Sequence, residues 1–327
     1  NAACIKIRKL LTAESRIREK PEFAGKATQS TTRVGMQGTQ GTQGAQAADK
    51  SARIAGTIDF QHVDFAFPDD LGTPVLSDID FHVPAGAKLG ILGETGSGKS
   101  TLVNLISRFY DPTAGRVLID GIDARDWPLA TLRSQVCIVA QDTFLFSDTI
   151  GSNISFGAGD RSNRLEYNGQ YDGQRRRRGY DEQYVRRMAA IAGADGFISS
   201  MPDGYDTVVG ERGVGLSGGQ KQRLSLARAL ADNPSILIMD DTTSAVDMET
   251  EAEIQRHLRD LDEKKTIVTI AHRISSVKDS DLILVLEHGR IVERGTHDEL
   301  VASHGRYWQI YSKQLGVDAG RSQGFEA

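Results

Sequence analysis

Lys99 and Ser100 end the run Gly93-Glu94-Thr95-Gly96-Ser97-Gly98-Lys99-Ser100, and these residue types at this spacing can hold phosphate. Glycine lets the backbone turn tightly and bring its N–H groups against phosphate oxygens. Lys99 is placed to reach the terminal phosphates, Ser100 to offer its hydroxyl to Mg²⁺, and Thr101 to add a hydroxyl to an inner phosphate. The chemistry requires a strand running into the loop and a helix leaving it. Residues 88–92 are short and apolar, as a buried strand is, and residues 101–106 carry apolar groups at helical spacing. The helix start adds a dipole favourable to an anion.

Two further stretches extend this chemistry. Ile236-Leu237-Ile238-Met239-Asp240 is an apolar strand ending in an acid, suited to hold Mg²⁺ directly or through a water. Many buried strands end in Asp, and it is the pairing with the loop that gives this one meaning. Leu216-Ser217-Gly218-Gly219-Gln220 opens a helix over residues 221–230 and leaves N–H groups at a second helix start, a second anion site. One chain with two such helix starts poses a geometric question that local pattern does not answer.

Together, residues 93–100, 216–220 and Asp240 resemble the nucleotide-binding domain of ATP-binding cassette (ABC) proteins, over about residues 57–315. The resemblance implies an α/β fold: a P-loop NTPase core with a parallel sheet, an added antiparallel β-subdomain and an inserted helical subdomain. It implies ATP and Mg²⁺ as ligands, and a head-to-tail dimer with a second nucleotide-binding domain. Each ATP would lie between Gly93, Glu94, Thr95, Gly96, Ser97, Gly98, Lys99, Ser100 and Thr101 of one subunit and Leu216, Ser217, Gly218, Gly219 and Gln220 of the other. Phe67 falls where the family stacks a tyrosine on adenine; Phe keeps the π face, and the plain alternative is an ordinary sheet aromatic. Gln141 resembles the glutamine that senses Mg²⁺ and the attacking water, and His272 the switch histidine that contacts the γ-phosphate. Ser244-Ala245-Val246-Asp247 resembles the loop that meets the opposite subunit. The implied metal set is Ser100, Gln141 and Asp240, and the implied catalytic set Lys99, Gln141, Asp241 and His272.

One position departs from the family. After Asp240 the family usually has Glu, which positions and polarises the attacking water; here the residue is Asp241. Its arm is one methylene shorter, and moving a catalytic group by about 1 Å costs on the order of a hundredfold in rate. The chain's own site is therefore expected to bind ATP and hydrolyse it slowly. The intact segment 216–220 would still complete a competent site on a partner, as in one half of a heterodimeric exporter. Residues 149–154, 209–213 and 289–297 resemble the multidrug and lipid-flippase exporters. Two alternatives remain: a soluble ABC ATPase of DNA repair or translation, and a non-hydrolytic regulatory subunit. The first usually carries coiled-coil insertions or a second cassette, which this chain lacks; Asp241 keeps the second open.

The rest of the chain sets the frame. A net charge of −5, with 25% charged and 39% hydrophobic residues, is a soluble globular balance that gives no reason to expect nucleic acid as a partner. Cys4 and Cys137 are read as reduced thiols, Cys137 within an apolar run. No apolar run reaches membrane-spanning length, and no signal peptide is visible. The chain begins at Asn1 rather than Met and is expected to be a fragment. The transmembrane domains are expected upstream or on a separate chain, at the cytoplasmic face of the cell membrane. Residues 1–24 read as a basic helix, either juxtamembrane or simply solvated, and residues 25–56 as a flexible Gly/Gln/Thr linker. The nucleotide-binding domain is assigned to 57–320, with a helical subdomain at about 142–230, and the tail to 321–327. A polar insert at 158–181 carries Arg175-Arg176-Arg177-Arg178, read as a solvated loop or as a contact for acidic lipid or a partner.

Overall fold

Uninterrupted apolar runs suit parallel strands buried on both faces, and alternating runs suit strands with one wet face. Both occur here. The computed structural model describes residues 17, 19–20, 53–141, 143–156, 180–210, 213, 215–242, 245–261 and 264–315. Strands β1 (Ile58–Ala66), β2 (Pro74–Val83), β4 (Ala114–Ile119) and β5 (Ile122–Asp123) form a four-stranded antiparallel sheet of order β2-β1-β4-β5. Strands β3 (Lys88–Gly93), β6 (Val136–Val139), β7 (Ile236–Asp240), β8 (Thr266–Ala271), β9 (Leu282–Glu287) and β10 (Arg290–Gly295) form a six-stranded sheet of order β10-β9-β3-β8-β7-β6. Its pairings are parallel except β9 with β10. The consecutive segments 75–83 and 87–92 thus part company between the two sheets. Burial explains it: β3 is buried at every position after Lys88, whereas β2 alternates.

The helices are α1 (Lys99–Ile106), α2 (Leu129–Gln135), α3 (Ile150–Ser155), α4 (Glu182–Ile191), α5 (Asp195–Ser199), α6 (Gly218–Ala231), α7 (Met248–Arg259), α8 (His297–Ala302) and α9 (Arg306–Leu315). Helices α3 to α6 lie between β6 and β7 and close over a core of their own, including Ile150, Ile154, Val185, Ala189 and Leu224, continuous with Val139 and Leu237 of the sheet. An inserted helical unit is what the sequence led one to expect. The terminal stretch 297–315 is two helices, broken where His304 takes a left-handed φ of 52°. Cys137 is a free thiol whose pKa is pushed up to about 12 by burial.

Of the basic segment 1–24, only Ile17, Glu19 and Lys20 are described, and they are not helical. Lys20 precedes Pro21, and a residue before proline is steered out of the α region. Glu19 accepts a hydrogen bond from the Leu129 N–H at 2.8 Å, and Lys20 pairs with Asp126 at 2.5 Å. The linker up to residue 52, the arginine run 175–178 and the tail 321–327 lie outside the described residues.

Candidate functional site

β3 runs up the middle of the parallel sheet and ends at Gly93, where a Cβ would stand 2.4 Å from the Leu286 carbonyl oxygen. Glycine is what lets the loop leave this close to β9. Gly98 has φ 101° and caps α1 with no side-chain hydrogen bond, so the helix start keeps its N–H groups for another acceptor. Lys99 is only 6% exposed and donates to the Gly93 and Glu94 carbonyls at 2.8 and 2.7 Å, which folds its ammonium over the loop. Burial holds its pKa below the ordinary lysine value, against the pull of Asp240, Asp241 and Glu94. The Ser97 hydroxyl is buried with no hydrogen-bond partner among the described residues, a polar group suited to a ligand. The loop is pinned from outside by the Gly289 N–H, which donates to the Ser97 carbonyl at 3.2 Å.

The acids arrive on neighbouring strands. β7 ends at Asp240, whose carboxylate accepts from the Ser100 hydroxyl at 3.1 Å. Burial raises the Asp240 pKa, helped by repulsion from Asp241 and opposed by the Ser100 hydrogen bond and by Lys99. These two oxygens suit Mg²⁺, which takes few protein ligands and fills its remaining places with phosphate and water. Asp241 has a left-handed φ of 48°, which Asp tolerates better than Glu, and its N–H donates to the Ile270 carbonyl at 3.0 Å. The Gln141 amide, just past β6, donates to the Asp241 carboxylate at 3.2 Å. His272 follows β8, is exposed, and adds a field that favours the charged form of Asp240. The ends of β3, β6, β7 and β8 therefore bring Lys99, Ser100, Gln141, Asp240, Asp241 and His272 to one rim of the sheet, where doubly wound folds take their ligands. Glu94, Thr95 and Gly96 are exposed at this rim, and Thr101 is half-buried in α1.

Phe67, just past β1, is 39% exposed and held by edge contacts to Phe65 and Tyr110 at 5.1 and 5.5 Å. Its face is left for another ring. The segment 216–220 lies elsewhere. Ser217 caps α6 in a capping box: its N–H donates to Gln220 Oε1 at 2.9 Å, and its Oγ accepts from the Gln220 N–H at 3.3 Å. The box leaves the Gly218 and Gly219 N–H groups pointing out of the helix start. Gly219 passes so close to the next loop that a Cβ would meet the Ala245 carbonyl oxygen at 2.7 Å. Leu216 packs at the edge of the helical core. Asp247 caps α7, accepting from the Thr250 N–H and hydroxyl at 2.9 Å each; those bonds hold its pKa below the usual carboxylate value. Glu211, Arg212 and Ser244 lie outside the described residues. Among the described residues, no hydrogen bond, ion pair or ring contact joins Leu216–Gln220 to the loop at 93–101.

Sequence reasoning missed Tyr110, Gly289, Arg306 and Gln314. The His288-Gly289 turn between the apolar run of β9 and the alternating β10 was a signal for the loop's outer pin. Tyr110 and the two α9 residues carried none, because their partners are distant in sequence.

The family model described as ABC transporter matches residues 76–244. The chain is 43% identical over 267 residues to an ATP-dependent lipid A-core flippase of Photobacterium profundum, covering 82% of this chain and 42% of that protein. It is 46% identical over 259 residues to a multidrug export ATP-binding/permease protein of Staphylococcus aureus, covering 79% and 41%. A solved bacterial Atm1-family ABC exporter with ATP bound superposes with a TM-score of 0.70 at 40% identity, over 82% of this chain and 43% of that one. The chain thus spans about two fifths of the length of these relatives.

Proposed function

This chain belongs to the ABC transporter family and carries its ATP-binding module; from that premise we propose that it drives export across a membrane by pairing head to tail with a second such module around ATP. The observation that carries the site reading is the joint placement of Lys99, the Ser100–Asp240 pair and the Gln141–Asp241 pair at one sheet rim. Loop N–H groups and the Lys99 ammonium bind the phosphates, and Phe67 stacks on adenine. Ser100 and Asp240, with Gln141, are the residues to hold Mg²⁺, which neutralises phosphate charge when bound. Asp241 orients the attacking water, Gln141 holds the Asp241 carboxylate, and His272 meets the γ-phosphate. The outward N–H groups of Gly218 and Gly219 stabilise charge on the phosphate of the opposite module. Asp247 and its neighbours face that module.

The module is proposed to work at the cytoplasmic face of the cell membrane, under transmembrane domains. An open groove of about 380 Å³ beside Gln141, lined by Val139, Phe144, Phe156 and Arg228, offers those domains an apolar seat. The domain reading is a nucleotide-binding unit at 57–320 behind a basic segment and a linker. A second reading, a half that binds ATP and leaves hydrolysis to a non-identical partner, is favoured by the short carboxylate at Asp241. ATP turnover of the chain and of Asp241→Glu tests the choice. A rise of about tenfold or more in Asp241→Glu supports the slow-site reading. Fast turnover by the unaltered chain, with no gain from Glu, rejects it.

A further inference from the structure

Helix α9 touches the site from outside at two loops. At its start, the Arg306 guanidinium pairs with Glu94 of the phosphate loop at 2.5 Å and with Glu287 at 3.2 Å. At its end, the Gln314 side chain donates from Nε2 to the His272 carbonyl at 2.7 Å and accepts at Oε1 from the Ile274 N–H at 2.9 Å. Glu94 is 75% exposed, so the first link is of the kind that contributes little. The second is different in kind. Both ends of one amide grip the backbone on either side of Arg273, as a neighbouring strand would, just beyond the last residue of β8. Gln314 is itself held in register by its helix, whose Tyr307 is fully buried and whose Tyr307 N–H donates to Glu293 at 2.8 Å. His272 is exposed, so packing does not fix it.

We propose that Gln314 is a positioning residue: it clamps the backbone at 272–274 and so aims the His272 side chain at the nucleotide. The inference rests on the reading of His272 as a γ-phosphate contact. A carboxamide does not titrate, so the clamp acts at every pH the fold survives. The Gln314 contact lies 42 residues from His272 in sequence and brings the chain's last described helix into the hydrolytic step.

The test uses the assembled protein with the changes Gln314→Ala, His272→Ala and both, reading kcat and KM for ATP and amide exchange at Ile274. Gln314→Ala is expected to lower kcat about tenfold with KM within about twofold, and to speed exchange at Ile274. The double variant is expected to turn over no more slowly than His272→Ala, because both changes remove one function. Unchanged kcat in Gln314→Ala, multiplying losses in the double variant, or unchanged exchange at Ile274 each overturn the clamp. If Gln314→Ala does not fold, Gln314→Glu serves: it keeps the acceptor for Ile274, sets a carboxylate oxygen against the His272 carbonyl, and is expected to lower kcat in the same way with KM within about twofold; unchanged kcat overturns the clamp. Full turnover in His272→Ala is a separate failure, that of the His272 reading, and exchange at Ile274 then decides alone whether Gln314 holds this loop.

Discussion

At residues 93–101 the loop is gripped by β9 at Gly93, by the Gly289 N–H at Ser97 and by Lys99 across its own carbonyls; at 216–220 the helix start is closed only by its own capping box and leans on Ala245. Both are glycine-rich helix starts with N–H groups to offer an anion. The first has Lys99, the Ser100–Asp240 pair and the Asp241 carboxylate within the same chain. The second has donors and no companion acid or lysine bonded to it among the described residues. Two similar amide clusters with such unequal surroundings make sense when one holds a ligand and the other completes a site held elsewhere. The physical lesson is that an anion-binding helix start is an element of a site, and the tertiary neighbourhood decides what it completes.

The comparison can be broken by substitution. Lys99→Ala should hit the first cluster hardest, lowering turnover by roughly a hundred- to a thousandfold, as loss of a main charge-stabilising donor does; turnover within tenfold of the unaltered protein would place the phosphates elsewhere. Gly219→Ala forces the Ala245 loop to move and should reduce turnover by roughly ten- to a hundredfold while leaving ATP binding to the isolated chain intact. Equilibrium binding of a fluorescent ATP analogue checks this, and weaker binding by the lone chain would erase the distinction between the clusters. Phe67→Leu keeps the apolar body and loses the π face, so nucleotide affinity should fall about tenfold, with turnover at saturating ATP nearly unchanged.

The smallest effect concerns Asp240. Its pKa is raised by folding, so the unfolded chain loses this proton first as pH rises. The charged Asp240 therefore costs stability above its folded pKa, and the cost disappears below the unfolded value. Asp240→Asn should raise the melting temperature of the nucleotide-free protein by a few degrees, roughly 1–3 °C, at pH 7, with the gain fading toward pH 4. The same change should abolish the added stabilisation that Mg²⁺ gives with ATP. Calorimetry across pH, with and without both ligands, reads both signs.

Much of this was legible in advance because its cause is local. The strand into residue 93 and the helix out of Lys99 follow from residue types side by side. The acid after Ile236–Met239 was legible only as a pattern. That β2 leaves the sheet of β3 was not, since the two strands follow one another closely in sequence and only packing assigns each to its sheet. The α6 start at Gly218, ahead of the expected 221, follows from the Ser217 cap, which was visible in the Ser-Gly-Gly-Gln run but was not given its full weight.

Taken alone, the order of residues determined the phosphate-holding chemistry, because Gly98, Lys99 and Ser100 share one short backbone, although β9 and Gly289 pin their loop from outside. The family resemblance pointed to Asp240 and Asp241, and only the tertiary structure decided how they reach it. Ser100 meets Asp240 across 140 residues, Gln141 meets Asp241 across 100, and Gln314 reaches His272 across 42. The first two meetings depend on the strand order β3-β8-β7-β6, which sets the chain's distant strand ends side by side, and the third on how α9 packs. Strand order is a property of how whole faces bury one another, and no short stretch of the chain contains it.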